Sequence, residues 1–309
     1  MEVIAFGMFY PSKEEYIRLA DQYDIVPVYK EILADTDTPV SVLQRFCFRE
    51  NAFLLESMEG GEKWGRYSFV GIDPELLLDV NHGTDSSGGL EAIRDVYKGL
   101  KVAEVPGLPR FFGGAVGFLG YEAICEFERI PRPVEENGKI RACSRFLKVD
   151  RIVVFDNIRH TVKIVVCTRP GSSGGADAVY DSTVSQIDNI AIAMEESEDI
   201  AEPKTFPEVE FSSNMNKDEY KGIVAKAKRY IHDGDIIQVV LSQKFTAKTD
   251  IPAIQMYRAL RLLNPSPYTF FLKIGDQTLV GSSPEVMVRL TGSKVELRPI
   301  AGTRPRGAS

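Results

Sequence analysis

At 309 residues, with 44% hydrophobic and 26% charged content, the chain is long enough for one large domain or two ordinary ones, each with its own core. A formal net charge of -7 leaves no basic excess to neutralise phosphates, which argues against nucleic acid as the main partner. No segment approaches the ~18 apolar residues of a membrane span, and no basic region precedes an apolar stretch at the N-terminus, so a cytoplasmic protein with no membrane contact is expected.

Ser12-Lys13-Glu14-Glu15 is a capping-box pattern, and Tyr16, Ile17, Leu19, Ala20 and Tyr23 follow at helical spacing, which predicts a helix over 13–22. Residues 25–29 read as a short strand that Pro27 confines to an edge or a strand start. Thr38 is an N-cap, and Pro39 at the first helical position opens a helix to about Phe46. Two strands joined by a loop are predicted at 53–57 and 66–71, a third strand at 75–80 and a helix at 90–100. The stretch 102–109 is a proline-punctuated connector. Gly113, Gly114, Gly117 and Gly120 lie in an apolar run without G-x-G-x-x-G spacing or a Walker lysine, so close packing of a glycine-rich strand is preferred to a nucleotide loop. The β-branched runs 145–156 and 161–168 suggest a hairpin turning at 157–160, and a helix is predicted over 177–194. Cys47, Cys125, Cys143 and Cys167 stand far apart without CxxC spacing and read as reduced, mostly buried thiols.

The acidic, proline-bearing stretch from Glu195 to Pro207 is the best linker candidate. Asn216 then caps a helix over 217–231, with Lys228, Arg229 and His232 near its negative end, where His232 reads as a surface histidine. Residues 236–243 are predicted as a strand with Gln238, Val240 and Ser242 on one face. A helix over 252–263 is stopped by Asn264-Pro265-Ser266-Pro267. Hairpins are expected at 268–281, around Gly275-Asp276, and at 286–300, around Thr291-Gly292-Ser293. Antiparallel sheets packed with helices make the fold class α+β. The last segment, 298–307, holds Arg298, Arg304 and Arg306 with a Gly302-Thr303 step. It reads either as an exposed turn or as an anion holder, with backbone N–H groups admitted by Gly302 and a hydroxyl from Thr303.

Four ordered motifs carry a resemblance to the chorismate-utilising enzymes: Gly234 to Gln243, Asn264-Pro265-Ser266-Pro267-Tyr268, Gly281-Ser282-Ser283-Pro284-Glu285, and Pro299 to Gly307. Leu54-Leu55-Glu56-Ser57 resembles, within that family, the large components of the anthranilate synthases. The resemblance implies an α/β sandwich, with 1–200 as an N-terminal domain, 201–215 as a linker and 216–309 as the first part of a chorismate-binding domain.

It also implies site residues. Relatives that add water carry a lysine base where this chain has Gln238, and the aminodeoxychorismate branch carries a nucleophilic lysine where it has Ala301. Neither a carboxamide nor a methyl group can replace an amine, so the implied nucleophile is free ammonia. Glu285 matches the acid that helps the ring hydroxyl leave, although a Ser-Ser-Pro-Glu turn also suits a helix start or a capped loop. Gly302 and Thr303 match a loop that holds a substrate carboxylate.

A second, allosteric site for tryptophan is implied by Glu56, Ser57, Pro267, Tyr268 and Thr269, with Lys63 or Arg66 as a nearby base; core strand ends and a proline turn are the alternative. The implied partners are chorismate, tryptophan as inhibitor and a separate glutamine amidotransferase subunit that supplies ammonia. The implied cofactor is Mg2+, with ligands expected beyond residue 309, and the 309 residues by themselves are expected to be an inactive fragment. The alternatives are aminodeoxychorismate synthase and a noncatalytic tryptophan-binding module.

Overall fold

The computed structural model describes residues 7–33, 36–57, 65–81, 89–130, 143–171, 174–195, 206 and 208–299. In chain order the elements are β1 (Phe9–Tyr10), α1 (Lys13–Ala20), β2 (Val26–Leu33), α2 (Pro39–Phe46), β3 (Asn51–Glu56), β4 (Tyr67–Gly71), β5 (Glu75–Asn81), α3 (Gly89–Tyr97) and β6 (Gly114–Phe118). A 3-10 helix (Tyr121–Glu126) precedes β7 (Cys143–Val149), β8 (Arg151–Asp156), β9 (Thr161–Thr168) and α4 (Gly175–Glu195). Then come β10 (Ser212–Ser213), α5 (Lys217–Asp233), β11 (Phe245–Thr246), α6 (Ala253–Leu263), β12 (Tyr268–Ile274), β13 (Gln277–Ser283), β14 (Arg289–Thr291) and β15 (Lys294–Glu296).

The protein is α+β, with antiparallel sheets packed with helices. The main sheet runs β1-β2-β9-β8-β4-β3-β12-β13, and a smaller one runs β5-β7-β6. Backbone contacts divide the chain into two units, 1–200 with 256–309 and 201–255. The hairpin β12–β13 therefore shares a sheet with strands from the first third of the chain.

Register explains the layering of the first unit. Phe271, Leu54, Val70, Val153, Ile164 and Lys30 form one cross-strand row. This face meets the helices: Lys30 pairs with Asp188 of α4 at 2.7 Å, and the Phe271 ring meets Tyr257 of α6 edge-on. The next row, Leu272, Phe53, Gly71, Ile152, Val165 and Tyr29, faces the small sheet, where Leu147, Val149 and Val116 close a shared apolar core. Gly71 is required in that row, because a Cβ there would lie 2.0 Å from the Phe53 ring.

Local signals account for the helices. Ser12 accepts from the Glu15 N–H and Thr38 forms a capping box with Ser41, so α1 and α2 start where their caps predict. The glycine-rich run packs as expected for a strand. A Cβ on Gly117 would fall 2.1 Å from the Arg145 carbonyl oxygen, so β6 lies against β7 more closely than a side chain allows.

Two expectations are corrected. The run 145–156 is not one strand: it breaks at Asp150 into β7 in the small sheet and β8 in the large one, since a single extended strand cannot serve two layers. Residues 236–243 form no strand, because no other segment among the described residues offers its N–H and C=O groups a ladder. The second unit instead consists of α5, with an Asn216–Glu219 capping box and Gly234 in the left-handed region at φ 85°, and the short β10–β11 pair. Gln243 and Lys244 are tied back to Ser213 and Asn214 by hydrogen bonds of 2.8 and 2.9 Å.

Among the described residues Cys47, Cys125 and Cys167 are free thiols, and Cys167 is buried deeply enough to be pushed up to about 12. No described helix is long and apolar enough to cross a membrane. His232 is exposed at the end of α5, beside Asp233.

Candidate functional site

The β3–β12 pairing sets Glu56 opposite Thr269 and Leu55 opposite Phe270, so two segments far apart in sequence lie side by side. At their ends opens a cavity of about 1210 Å³. Glu56 and Ser57 line it from β3, Arg66 and Tyr67 from the start of β4, and Pro267 and Tyr268 from the start of β12. Leu55, Phe69, the stretch 104–112 and Arg289–Thr291 of β14 complete its lining among the described residues. Thr269 is fully buried beside it, and its hydroxyl donates to the Ser266 carbonyl at 3.3 Å.

Within this cavity the polar groups differ in how far they are committed. Glu56 is 6% exposed, and both carboxyl oxygens are engaged by α6: the Tyr257 hydroxyl donates to one and Arg261 Nη2 lies 3.2 Å from the other. Burial raises the Glu56 carboxyl above its ordinary range, with the Tyr257 hydrogen bond and the Arg261 charge opposing it only in part. Burial and the adjacent Glu56 push the Tyr257 phenol upward, so it stays a donor.

Arg66 forms a two-pronged contact with buried Asp156, at 2.7 Å from Nη2 and 3.1 Å from Nε, and its guanidinium lies 4.8 Å from the centre of the Tyr67 ring. Burial pulls the Asp156 carboxyl upward. The Arg66 hydrogen bonds and the N–H groups of Arg159 and Ile158 outweigh it and hold Asp156 below the usual carboxylate range. Ser57 is different: its hydroxyl oxygen is buried and has no hydrogen-bond partner among the described residues. A buried, unsatisfied hydroxyl on a cavity wall is a donor and acceptor waiting for a ligand or water.

The other expected residues are placed as follows. Glu285 is half-buried just after β13, in a local turn where Ser283 Oγ accepts from the Glu285 N–H and donates to its carbonyl. Gln238 is exposed in the irregular segment of the second unit. Ala301, Gly302, Thr303 and Lys63 lie outside the described residues. No group of three or more His, Cys, Asp or Glu among the described residues could hold a metal ion.

Sequence reasoning missed Tyr257, Arg261 and Arg289, and read the 104–112 wall as a mere connector. Helical periodicity could place Tyr257 and Arg261 four apart on one face of α6, but nothing local links that face to Glu56.

A family model described as chorismate binding enzyme matches residues 50–309. The chain is 38% identical to anthranilate synthase component 1 of Acetivibrio thermocellus, over 97% of this chain and 64% of the relative. It is 36% identical to the protein of the same name from Pseudomonas putida, over 96% of this chain and 64% of the relative. The chain thus spans just under two thirds of these relatives' length. Its fold is similar to the crystal structure of anthranilate synthase component I from Streptococcus pneumoniae TIGR4, with a TM-score of 0.63 and 24% identity over 85% of this chain and 59% of that one. By the match over residues 50–309, this chain belongs to the chorismate binding enzyme family.

Proposed function

We propose that the chain is the N-terminal part of a cytoplasmic anthranilate synthase component I. In its complete form this enzyme converts chorismate and ammonia to anthranilate, pyruvate and water. The observation that carries the reading is the cavity at the β3–β12 ends, lined by the Arg66 guanidinium, by Pro267 and Tyr268, and by the Ser57 hydroxyl, which has no partner among the described residues. A donor pair for a carboxylate beside a flat apolar slot is what an aromatic amino acid requires, and tryptophan is the proposed occupant and feedback inhibitor. Glu56 lines that pocket while held by Tyr257 and Arg261 of α6, and an incoming ammonium is proposed to bind beside its carboxyl group.

The catalytic roles belong to the same proposal. Gln238 and Ala301 supply no amine, which leaves ammonia from a glutamine amidotransferase subunit as the nucleophile. Glu285 gives a proton to the departing ring hydroxyl, which leaves as water, and Gly302 and Thr303 hold a substrate carboxylate. The 309 residues are proposed to bind without turnover, with Mg2+ ligands supplied from outside them. Tryptophan binding without catalysis also suits a noncatalytic regulatory module, a reading favoured by the described lining of the cavity, all of which belongs to the first unit.

Two measurements test this. An anthranilate fluorescence assay with chorismate, ammonium and magnesium is expected to show no product from these 309 residues, and product formation contradicts the proposed inactivity. Separate calorimetric titrations are expected to show tryptophan binding. If neither tryptophan nor chorismate binds the folded chain, both site assignments fail.

A further inference from the structure

We propose that Arg289 is a positioning residue that ties occupancy of the β3–β12 cavity to the position of the β14–β15 hairpin. The proposal rests on the reading of the cavity as an amino-acid pocket and adds a route by which its occupant is felt elsewhere. Three consecutive residues of β14, Arg289, Leu290 and Thr291, form part of the cavity wall. Two hydrogen bonds fasten that wall to the rest. Arg289 Nη2 donates to the Tyr268 hydroxyl at 3.1 Å, and Arg110 Nη1 donates to Thr291 Oγ1 at 2.8 Å. One joins the hairpin to the strand that presents Pro267 and Tyr268, and the other joins it to the 104–112 wall.

β14 and β15 are three residues each, Leu290 and Val295 are 67% and 57% exposed, and an isolated two-stranded hairpin is marginal in water. Those two polar links, and whatever fills the cavity beside them, therefore bear on its position. Arg289 is paired across the hairpin with Glu296, and the chain reaches Arg298 two residues later. Lys294 chiefly, with smaller contributions from Arg289 and Arg298, holds the Glu296 carboxyl below its usual range, so the same charges meet at the hairpin's exit. A ligand that contacts Tyr268 and β14 together favours one hairpin position by its differential contacts.

Hydrogen–deuterium exchange of the whole chain, with and without saturating L-tryptophan, tests this. In the wild type, tryptophan is expected to slow exchange at 54–57 and 267–269 and also across 289–298. In Arg289→Gln the loss of one hydrogen bond weakens binding by less than about tenfold. At saturation that variant keeps the protection at 54–57 and 267–269 and loses it across 289–298. Thr291→Val is expected to lose part of the same protection, and unchanged exchange in the β8–β9 hairpin certifies that both variants fold. Tryptophan binding whose protection never reaches 289–298 in the wild type, or persists there in Arg289→Gln, overturns the coupling and leaves the pocket standing. Absence of tryptophan binding to the folded wild type overturns the pocket and the coupling together.

Discussion

Glu56 carries an acidic side chain into the interior of the first unit, where it is 6% exposed and held by Tyr257 and Arg261. Tyr257→Phe removes one donor to a Glu56 oxygen that keeps its contact with Arg261 Nε, which is expected to cost about 0.5–1.5 kcal/mol in urea unfolding. The pH dependence has a definite sign. Because burial raises the native Glu56 carboxyl above its ordinary value of 4.5, the native state holds a proton that the unfolded chain has released. The contribution of this group is full below that ordinary value and is lost as pH rises through the native one. Relative to Glu56→Gln, the wild type is expected to lose stability as pH rises above that ordinary value, and unfolding midpoints that run parallel in the two proteins contradict this. Gly117 gives a steric prediction. A methyl group there meets the backbone of β7 at 2.1 Å, so Gly117→Ala is expected to destabilise by about 1–3 kcal/mol or more, measured as a fall in Tm.

The elements differ in how much of them the sequence disclosed. Helices α1 and α2 were legible because their caps, Ser12 and Thr38, are local signals satisfied within three residues. The hairpin β12–β13 was legible from Gly275, which sits at φ 58° in its turn. Residues 236–243 looked like a strand by composition, yet pairing is decided by a partner that composition cannot show. The split at Asp150 was hidden for the same reason, since β7 and β8 both carry β-branched and aromatic residues and differ only in which sheet receives them. In β3, Leu54 is fully buried between Phe271 and Val70, and Leu54→Ala is expected to cost about 2–5 kcal/mol in urea unfolding.

At the scale of the whole molecule, a register links two distant motifs. Glu56-Ser57 and Pro267-Tyr268-Thr269 could be named from the sequence by resemblance, but their meeting depends on β3 and β12 being neighbours in one sheet. Residues without a family motif, such as Arg289 and the 104–112 stretch, entered the candidate site only through the fold. The central claim is that the cavity they enclose is a tryptophan pocket, and Ser57 gives its most direct measurement, because its buried hydroxyl lines the cavity and has no hydrogen-bond partner among the described residues. Calorimetric titration of the wild type and Ser57→Ala with L-tryptophan is expected to show one site per chain, weakened about 3- to 10-fold in the variant by the loss of one hydrogen bond. Equal affinities in the two proteins, or no binding to a folded wild type, would contradict it.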